Sequence, residues 1–339
     1  MREMEKAAFV FPGQGSQYVG MGRDLYETYP EAKAVFDEAD RILGFPLSKL
    51  CFEGLPAELD DTINTQPAIF TMSVACFKVL GTRYKEQGKD RENLEPRTLN
   101  LEPAFVAGHS LGEYTALVAA GALDFADGLR LVRERGRVMK EAGELNPGAM
   151  AAIIGLDAQT LEGICQEASI QFPASRVQIA NYNSPGQVVI SGHKEALERA
   201  LELARERGAR RIIPLAVSIA AHSSLMQPAA DAFADTVAQV DFRGPCVLVV
   251  ANVTAAPIPS VTLRTSTTVE GIREELVKQL TSTVRWVESV QYMIAQGVTT
   301  FVEIGPKDVL TGLIRRIDKS VQTVNVGDVA GIEACIELT

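Results

Sequence analysis

The sequence predicts an α/β protein with a large body and a small subdomain inserted into it. Three observations carry this reading. A strand, a tight turn and a helix follow one another through residues 104–120. A β-α-β-β-α-β succession occupies residues 148–215. After 215 the chain returns to strands and helices of the body and reaches a late strand at Thr300 to Ile304. The division expected is a body of residues 1–147 and 216–339, with a subdomain at 148–215.

Element by element, Ala7 to Phe11 is an apolar run that reads as the first strand. It ends at Pro12-Gly13-Gln14-Gly15-Ser16-Gln17. A dinucleotide fingerprint would need a third glycine at position 18, where Tyr18 stands. The loop is read instead as bringing backbone and an amide side chain close to a ligand. Helical patterns follow at 31–43 and 67–84. Residues 85–103 are polar and lack a period, as in an exposed excursion. Ala104 to Ala107 is apolar again, and helix-forming residues run from Glu113 to Ala120. A further helix covers 125–142.

In the subdomain, Met150 to Gly155 reads as a strand and Ala158 to Ala168 as a helix. Val177 to Tyr182 and Gln187 to Ser191 form a hairpin around the turn Asn183-Ser184-Pro185-Gly186. Lys194 to Arg207 is a helix and Arg211 to Leu215 the last strand. This order is the split, ferredoxin-like arrangement. Beyond it, Cys246 to Ala251 is a strand ending at Asn252, and 254–268 is a Thr-, Ser- and Pro-rich loop. Val269 to Leu280 and Val284 to Ala295 are helical, before the strand that ends at Gly305-Pro306.

Composition narrows the function. With 43 acidic and 33 basic residues, the 339-residue chain carries a formal charge of −10. Non-specific binding to nucleic acid or to an anionic membrane is disfavoured. No apolar run is long enough to cross a bilayer, and the start Met1-Arg2-Glu3-Met4-Glu5-Lys6 is too charged for a signal peptide. The five cysteines are scattered, with no C-x-x-C pair, so neither a disulfide framework nor a zinc site is expected. Reduced thiols in the cytoplasm are the expectation. Two arginine clusters stand out, 130–137 with Lys140 and 205–211. Most of these residues read as solvated helix faces.

The chemistry is concentrated at Gly108-His109-Ser110-Leu111-Gly112, a G-x-S-x-G segment between a strand and a helix. A turn that sharp leaves no room for side chains beside the serine, and it projects the Ser110 hydroxyl off the sheet. It also aims the Leu111 N–H, at a helix N-terminus, toward an oxyanion on an attacked carbonyl. Serine needs a base, and the chain has three histidines. His109 flanks the serine and is read as lining the cleft, and His193 as a surface residue at a helix start. His222, among small residues where the chain re-enters the body, is the base by elimination. An acid to orient it is not evident among Asp124, Asp127 and Asp157, and a carbonyl could serve instead.

These residues resemble the malonyl-CoA:acyl-carrier-protein transacylase family, which includes acyltransferase domains of polyketide and fatty-acid synthases. The resemblance rests on several segments in one order. They are Phe11 to Gln17, Thr65-Gln66-Pro67-Ala68, Gly108 to Tyr114, Arg135-Gly136-Arg137 with Met139, Asn183 to Gln187, His222, and Glu303-Ile304-Gly305-Pro306. It spans residues from about 7 to about 316 and implies an α/β-hydrolase-like body with a ferredoxin-like insert.

The resemblance also implies roles. Ser110 is the nucleophile and His222 the base. The N–H groups of Gln14 and Leu111 form the oxyanion hole. Arg135 pairs with the malonyl carboxylate. The Gln279 backbone carbonyl orients His222, while Gln66 and Asn183, with His109, line the cleft. The implied substrates are malonyl-CoA and the phosphopantetheine arm of an acyl carrier protein, with no metal and no bound cofactor. Ile219-Ala220-Ala221-His222 departs from the His-Ala-Phe-His and Tyr-Ala-Ser-His patterns of modular polyketide domains, which leaves the extender unit open. An acyl hydrolase with water as acceptor and a non-catalytic binding module are the rival readings. The chain is expected to be a free-standing, monomeric enzyme.

Overall fold

Two hydrophobic rhythms divide the strands. The first strand, KAAFVF, is buried at every position but its first, as a strand covered on both faces must be. Residues 148–154 instead send alternate side chains to two different cores: Met150 and Ala152 to one, Ala151 and Ile153 to the other. The computed structural model describes residues 6–89, 102–172, 174–215, 219–258 and 266–338. Its strands are β1 (Lys6–Phe11), β2 (Phe105–Gly108), β3 (Gly148–Ile154), β4 (Val177–Ser184), β5 (Gln187–His193), β6 (Arg211–Pro214), β7 (Leu248–Val250), β8 (Val298–Ile304) and β9 (Gln322–Val326).

The helices before the subdomain are α1 (Arg23–Thr28), α2 (Pro30–Leu43), α3 (Leu47–Glu53), α4 (Pro56–Leu59), α5 (Thr62–Lys89), α6 (Gly112–Ala119) and α7 (Phe125–Leu145). Within and after it come α8 (Ala158–Gln171), α9 (Lys194–Glu206), α10 (Gln227–Ala238), α11 (Ser266–Lys278), α12 (Trp286–Ala295), α13 (Val309–Ile317) and α14 (Val329–Glu337).

One sheet has the order β7-β2-β1-β8-β9, and every neighbouring pair in it is parallel. Its carboxyl ends therefore lie along one edge, where open α/β sheets place their ligands. The loops that start at Pro12, His109 and Ala251 all leave from that edge. The second sheet is antiparallel, order β4-β5-β3-β6. One face packs on α8 and α9 through Ile153, Leu161, Ile164, Ile190 and Leu197. The other face joins the body's core through Met150, Ala152, Ala180 and Val189. A parallel bridge between Asn181 and Val284 adds a backbone seam between the two parts.

Several expected boundaries move, each for a local reason. The helix expected at 67–84 begins at Thr62 and carries Pro67 inside it. A proline there removes the N–H that would reach the Ile63 carbonyl. Arg133 of α7 supplies the missing donor, from Nη1 to Ile63 O at 2.6 Å. The same helix continues to Lys89, so it takes in the start of the excursion expected at 85–103. Residues 90–101 of that excursion lie outside the described residues, as do 259–265 of the loop expected at 254–268. The helix expected from Val284 starts at Trp286, because Val284 is spent on the bridge to Asn181. At the end of the chain, α13, β9 and α14 extend the body beyond the last element expected from sequence.

Arg133→Met should cost about 1.5–3 kcal/mol, read as a lower urea midpoint with an unchanged slope. In a Pro67→Ala background the new N–H can reach Ile63 O, and the same substitution should cost distinctly less.

Candidate active site

The turn after β2 is built by backbone contact. A Cβ on Gly108 would stand 1.9 Å from the Gly112 carbonyl carbon, and one on Gly112 would stand 2.0 Å from the Phe11 oxygen. No side chain larger than hydrogen enters either place. Between them Ser110 takes a left-handed backbone, φ +52°, at a cost of about 1–3 kcal/mol. Asn252, just past β7, holds the turn. Its Oδ1 accepts the Ser110 N–H at 2.7 Å and its Nδ2 donates to Gly108 O at 2.7 Å. Sequence reading noted Asn252 only as a strand end. The signal present was an amide at the carboxyl end of a neighbouring strand.

Ser110 Oγ lies 2.9 Å from His222 Nε2. His222 Nδ1 lies 2.8 Å from the backbone oxygen of Gln279. A carbonyl only accepts, so Nδ1 carries the proton and the Nε2 lone pair faces the serine. No carboxylate touches this imidazole among the described residues. Burial, and then the Arg135 charge, push its pKa down to about 3. The ring is therefore neutral, with its Nε2 lone pair turned to the serine hydroxyl, and weakly basic in the free site.

Arg135 comes from the inward face of α7 and is 2 % exposed. Nη1 donates to Gln66 Oε1 at 2.8 Å, and Nη2 donates to Ser110 Oγ at 3.0 Å and to Gln279 Oε1 at 2.9 Å. Its Nε has no partner among the described residues. The guanidinium also lies 5.7 Å from the centre of the Tyr114 ring, a distance at which the π-face adds attraction. Neither the Gln14 N–H nor the Leu111 N–H is spent on an acceptor among the described residues. Both remain available to an oxyanion.

Two expected lining residues have other duties. Gln66 is wholly buried behind Arg135 and does not reach the cleft. Its Nε2 donates to Thr62 Oγ1 at 2.9 Å, and that hydroxyl donates to Gln14 Oε1 at 2.9 Å. An amide offers both an acceptor and a donor, so Gln66 can link the arginine to the loop that carries Gln14. Asn183 accepts from His109 Nε2 at 2.8 Å and so fixes that ring, which also packs edge-on to Trp286 at 5.7 Å. The subdomain asparagine on the cleft wall is Asn181. His109 does line the cleft, a cavity of about 360 Å³ closed by Met150 and Leu215 on the subdomain side. His193 stands at the N-cap position of α9, and its Nδ1 receives the Arg176 N–H, away from the cleft. Glu303 belongs to the frame: its carboxyl accepts the Leu310 and Thr311 N–H groups at the start of α13.

A neutral histidine bonded to a serine at a strand–helix apex, with two free N–H groups beside it, defines a serine-dependent acyl-transfer site on an α/β body. The model of the acyl transferase domain family matches residues 8–333. The malonyl CoA-acyl carrier protein transacylase of Bacillus subtilis strain 168 is 46% identical over 98% of this chain and 97% of its own length. That of Escherichia coli K12 is 45% identical over 99% and 100%. Among solved structures, a malonyl-transacylase in complex with its type II PKS acyl-carrier protein superposes with a TM-score of 0.87 at 42% identity, covering 99% of this chain and 100% of that one. An acyl carrier protein S-malonyltransferase from Vibrio cholerae gives 0.86 at 44% identity, covering 98% and 100%. The chain belongs to the acyl transferase family, among the malonyl CoA-acyl carrier protein transacylases.

Side-chain ¹⁵N spectra test the state of His222, whose signals a His222→Asn variant assigns. They should stay those of a neutral imidazole protonated at Nδ1 from pH 8 to pH 5. A ring near the ordinary value of about 6.5 would titrate across that range.

Proposed function

We propose that the protein moves malonyl groups from malonyl-CoA to the phosphopantetheine thiol of an acyl carrier protein, through an ester on Ser110. The observation that carries this reading is Arg135 Nη2 at 3.0 Å from Ser110 Oγ, in a buried site where no carboxylate is bonded to it among the described residues. In a malonyl thioester the free carboxylate sits two bonds from the attacked carbonyl carbon. Its cationic partner must therefore stand beside the nucleophile. A planar guanidinium meets a carboxylate with two parallel bonds and leaves acetyl without a counterpart.

In the first half-reaction Ser110 Oγ attacks the thioester carbon and its proton passes to His222 Nε2. The N–H groups of Gln14 and Leu111 receive the oxyanion. The C–S bond breaks, the CoA sulfur takes the proton from His222, and malonyl-Ser110 remains. In the second, the carrier thiol gives its proton to His222 and attacks the ester carbon. The C–O bond breaks and Ser110 Oγ recovers the proton. The substrate carboxylate assists its own transfer: by neutralising Arg135 it removes one of the causes that hold His222 at low basicity, with burial remaining the largest. The groups required are side chains and backbone of this chain, so the reaction needs no resident cofactor or metal.

The same reading takes residues 1–147 and 216–339 as an α/β-hydrolase-like body and 148–215 as a ferredoxin-like subdomain. The βαββαβ order with β4-β5-β3-β6 pairing supports the second label. The protein would act in the cytoplasm, in fatty-acid or polyketide synthesis. No described helix is long and apolar enough to cross a membrane. An acidic carrier would be steered by the exposed arginines 205, 207, 210 and 211. They flank β6, whose continuation Leu215 reaches the cleft, and Arg207 is tied to Glu167.

Intact-protein mass after mixing with malonyl-CoA should show a malonyl adduct that Ser110→Ala abolishes and holo-carrier discharges faster than water. Rapid CoA release with no transferable acyl group would instead make the protein a hydrolase. Arg135→Ala should lower malonyl loading by about 100-fold or more, as expected for losing a charge-assisted pair, and bring it close to acetyl loading.

A further inference from the structure

Behind the reacting atoms lies a buried polar network whose carboxyl groups the reaction above does not use. Glu113 stands in the first turn of α6, three residues after Ser110, and is fully buried. One carboxyl oxygen accepts the Asn252 N–H at 2.9 Å and the other accepts from Gln279 Nε2. Gln279 is also fully buried and is bonded on all sides. Nε2 donates a second bond to Ser110 O at 3.0 Å, Oε1 accepts from Arg135, and the backbone oxygen accepts from His222. Glu275 of α11 lies alongside and takes the Val253 N–H at 2.8 Å.

We propose that Glu113 is a positioning residue for acyl-group selection: it fixes which end of the Gln279 amide faces Arg135. The proposal rests on the malonyl-transfer reading and names a further determinant of its specificity. A carboxamide has almost the same shape either way round, so only its partners decide its orientation. On one side of Gln279 stand two acceptors, the Glu113 carboxyl and the Ser110 carbonyl. On the other stands a pure donor, the Arg135 guanidinium. The first pair requires NH₂ and the second requires the oxygen. Without the carboxyl, the side demanding NH₂ is held by one carbonyl alone. A flipped amide would then point N–H at a guanidinium that has no use for it.

Electrostatics points the same way. Burial pushes the Glu113 carboxyl well above its usual range, and Glu275 beside it adds to this. The donors Asn252 and Gln279, with the Arg135 charge, pull it back. In its ionised form Glu113 also offsets the Arg135 charge, which burial opposes. The remaining bond of Glu113, to Asn252, reaches the amide that clamps the serine turn. One buried carboxyl thus serves both the arginine and the turn, without touching substrate.

The test compares loading of malonyl-CoA and acetyl-CoA, as kcat/KM for CoA release and as intact mass, in the native protein, Glu113→Gln and Gln279→Met. A misplaced arginine should cost malonyl loading on the order of 100-fold. The malonyl-to-acetyl ratio should fall at least about 10-fold in each variant, and no further in the double variant, as for residues acting as one unit. A merely structural role would lower both substrates together, and an unchanged ratio overturns the proposal. If Glu113→Gln does not fold, Gln279→Met decides, because it removes the same link from the other end. Failure of the native protein to load malonyl would strike the functional reading instead.

Discussion

A guanidinium at 2 % exposure with no carboxylate in hydrogen-bond contact among the described residues is costly to fold, and much of the site follows from where its donors go. Three of the groups it meets are neutral: the Gln66 amide, the Gln279 amide and the Ser110 hydroxyl. Each stabilises the charge by a charge-assisted bond, yet none cancels it. The nearby π-face of Tyr114 and the more distant Glu113 contribute in the same direction. What remains is a cation short of an anion beside a nucleophile. In the proposed reaction the acyl group brings that anion. Selection of a dicarboxylic acyl group is then a property of the empty site's unbalanced charge, rather than of pocket size.

The same charge explains why the histidine lacks an acid. In a serine site with Asp or Glu behind the imidazole, the carboxylate would raise its basicity. Here a carbonyl replaces it, and the imidazole stays neutral beside a fixed positive charge. A carboxylate in the place of the Gln279 carbonyl would be drawn into the field of Arg135 as an ion pair. It would spend the cation needed for substrate. A neutral orienting group keeps both the tautomer and the free charge. Gln279 meets both requirements, through its backbone for His222 and its side chain for Arg135.

Where the sequence was legible, the cause was local. Gly108, Ser110 and Gly112 lie within five residues, and the steric argument for them needs only the turn itself. The βαββαβ order could be read because alternating apolar residues and turn residues are short-range signals. Gln66 and Asn183 are read as lining the cleft, and in the structure each is bonded to a residue that lines it. Their true partners, Arg135 and His109, are 69 and 74 residues away. Asn252 and Glu113 carried no recognised signal, since the bonds that define them span 142 and 166 residues. Pro67 misled the helix boundary because its defect is repaired from α7 by Arg133, 70 residues from the carbonyl it serves. At the end of the chain, β9 has only one buried residue, so its apolar pattern is too weak to announce a strand.

The position of the cleft follows from an antiparallel sheet that faces two cores. One face of the antiparallel sheet closes on α8 and α9, and the other closes on the body, so Met150 and Asn181 arrive opposite Ser110 and Arg135. The parallel sheet supplies the backbone of Gln14, Ser110, Leu111 and Asn252, through loops that leave β1, β2 and β7 on one edge, while Arg135 comes from α7 and His222 from the segment before α10. Chemistry therefore rests on the rigid element, while the wall facing it is a separate packing unit joined by the Asn181–Val284 seam. A ping-pong enzyme must admit two different thiols to one ester in turn. A wall carried on its own core can vary in shape while the side chains of the serine, the histidine and the arginine keep their bonds to one another, to Gln66 and to Gln279. The wall meets the histidine at its backbone, where Gln178 Nε2 donates to His222 O at 3.2 Å.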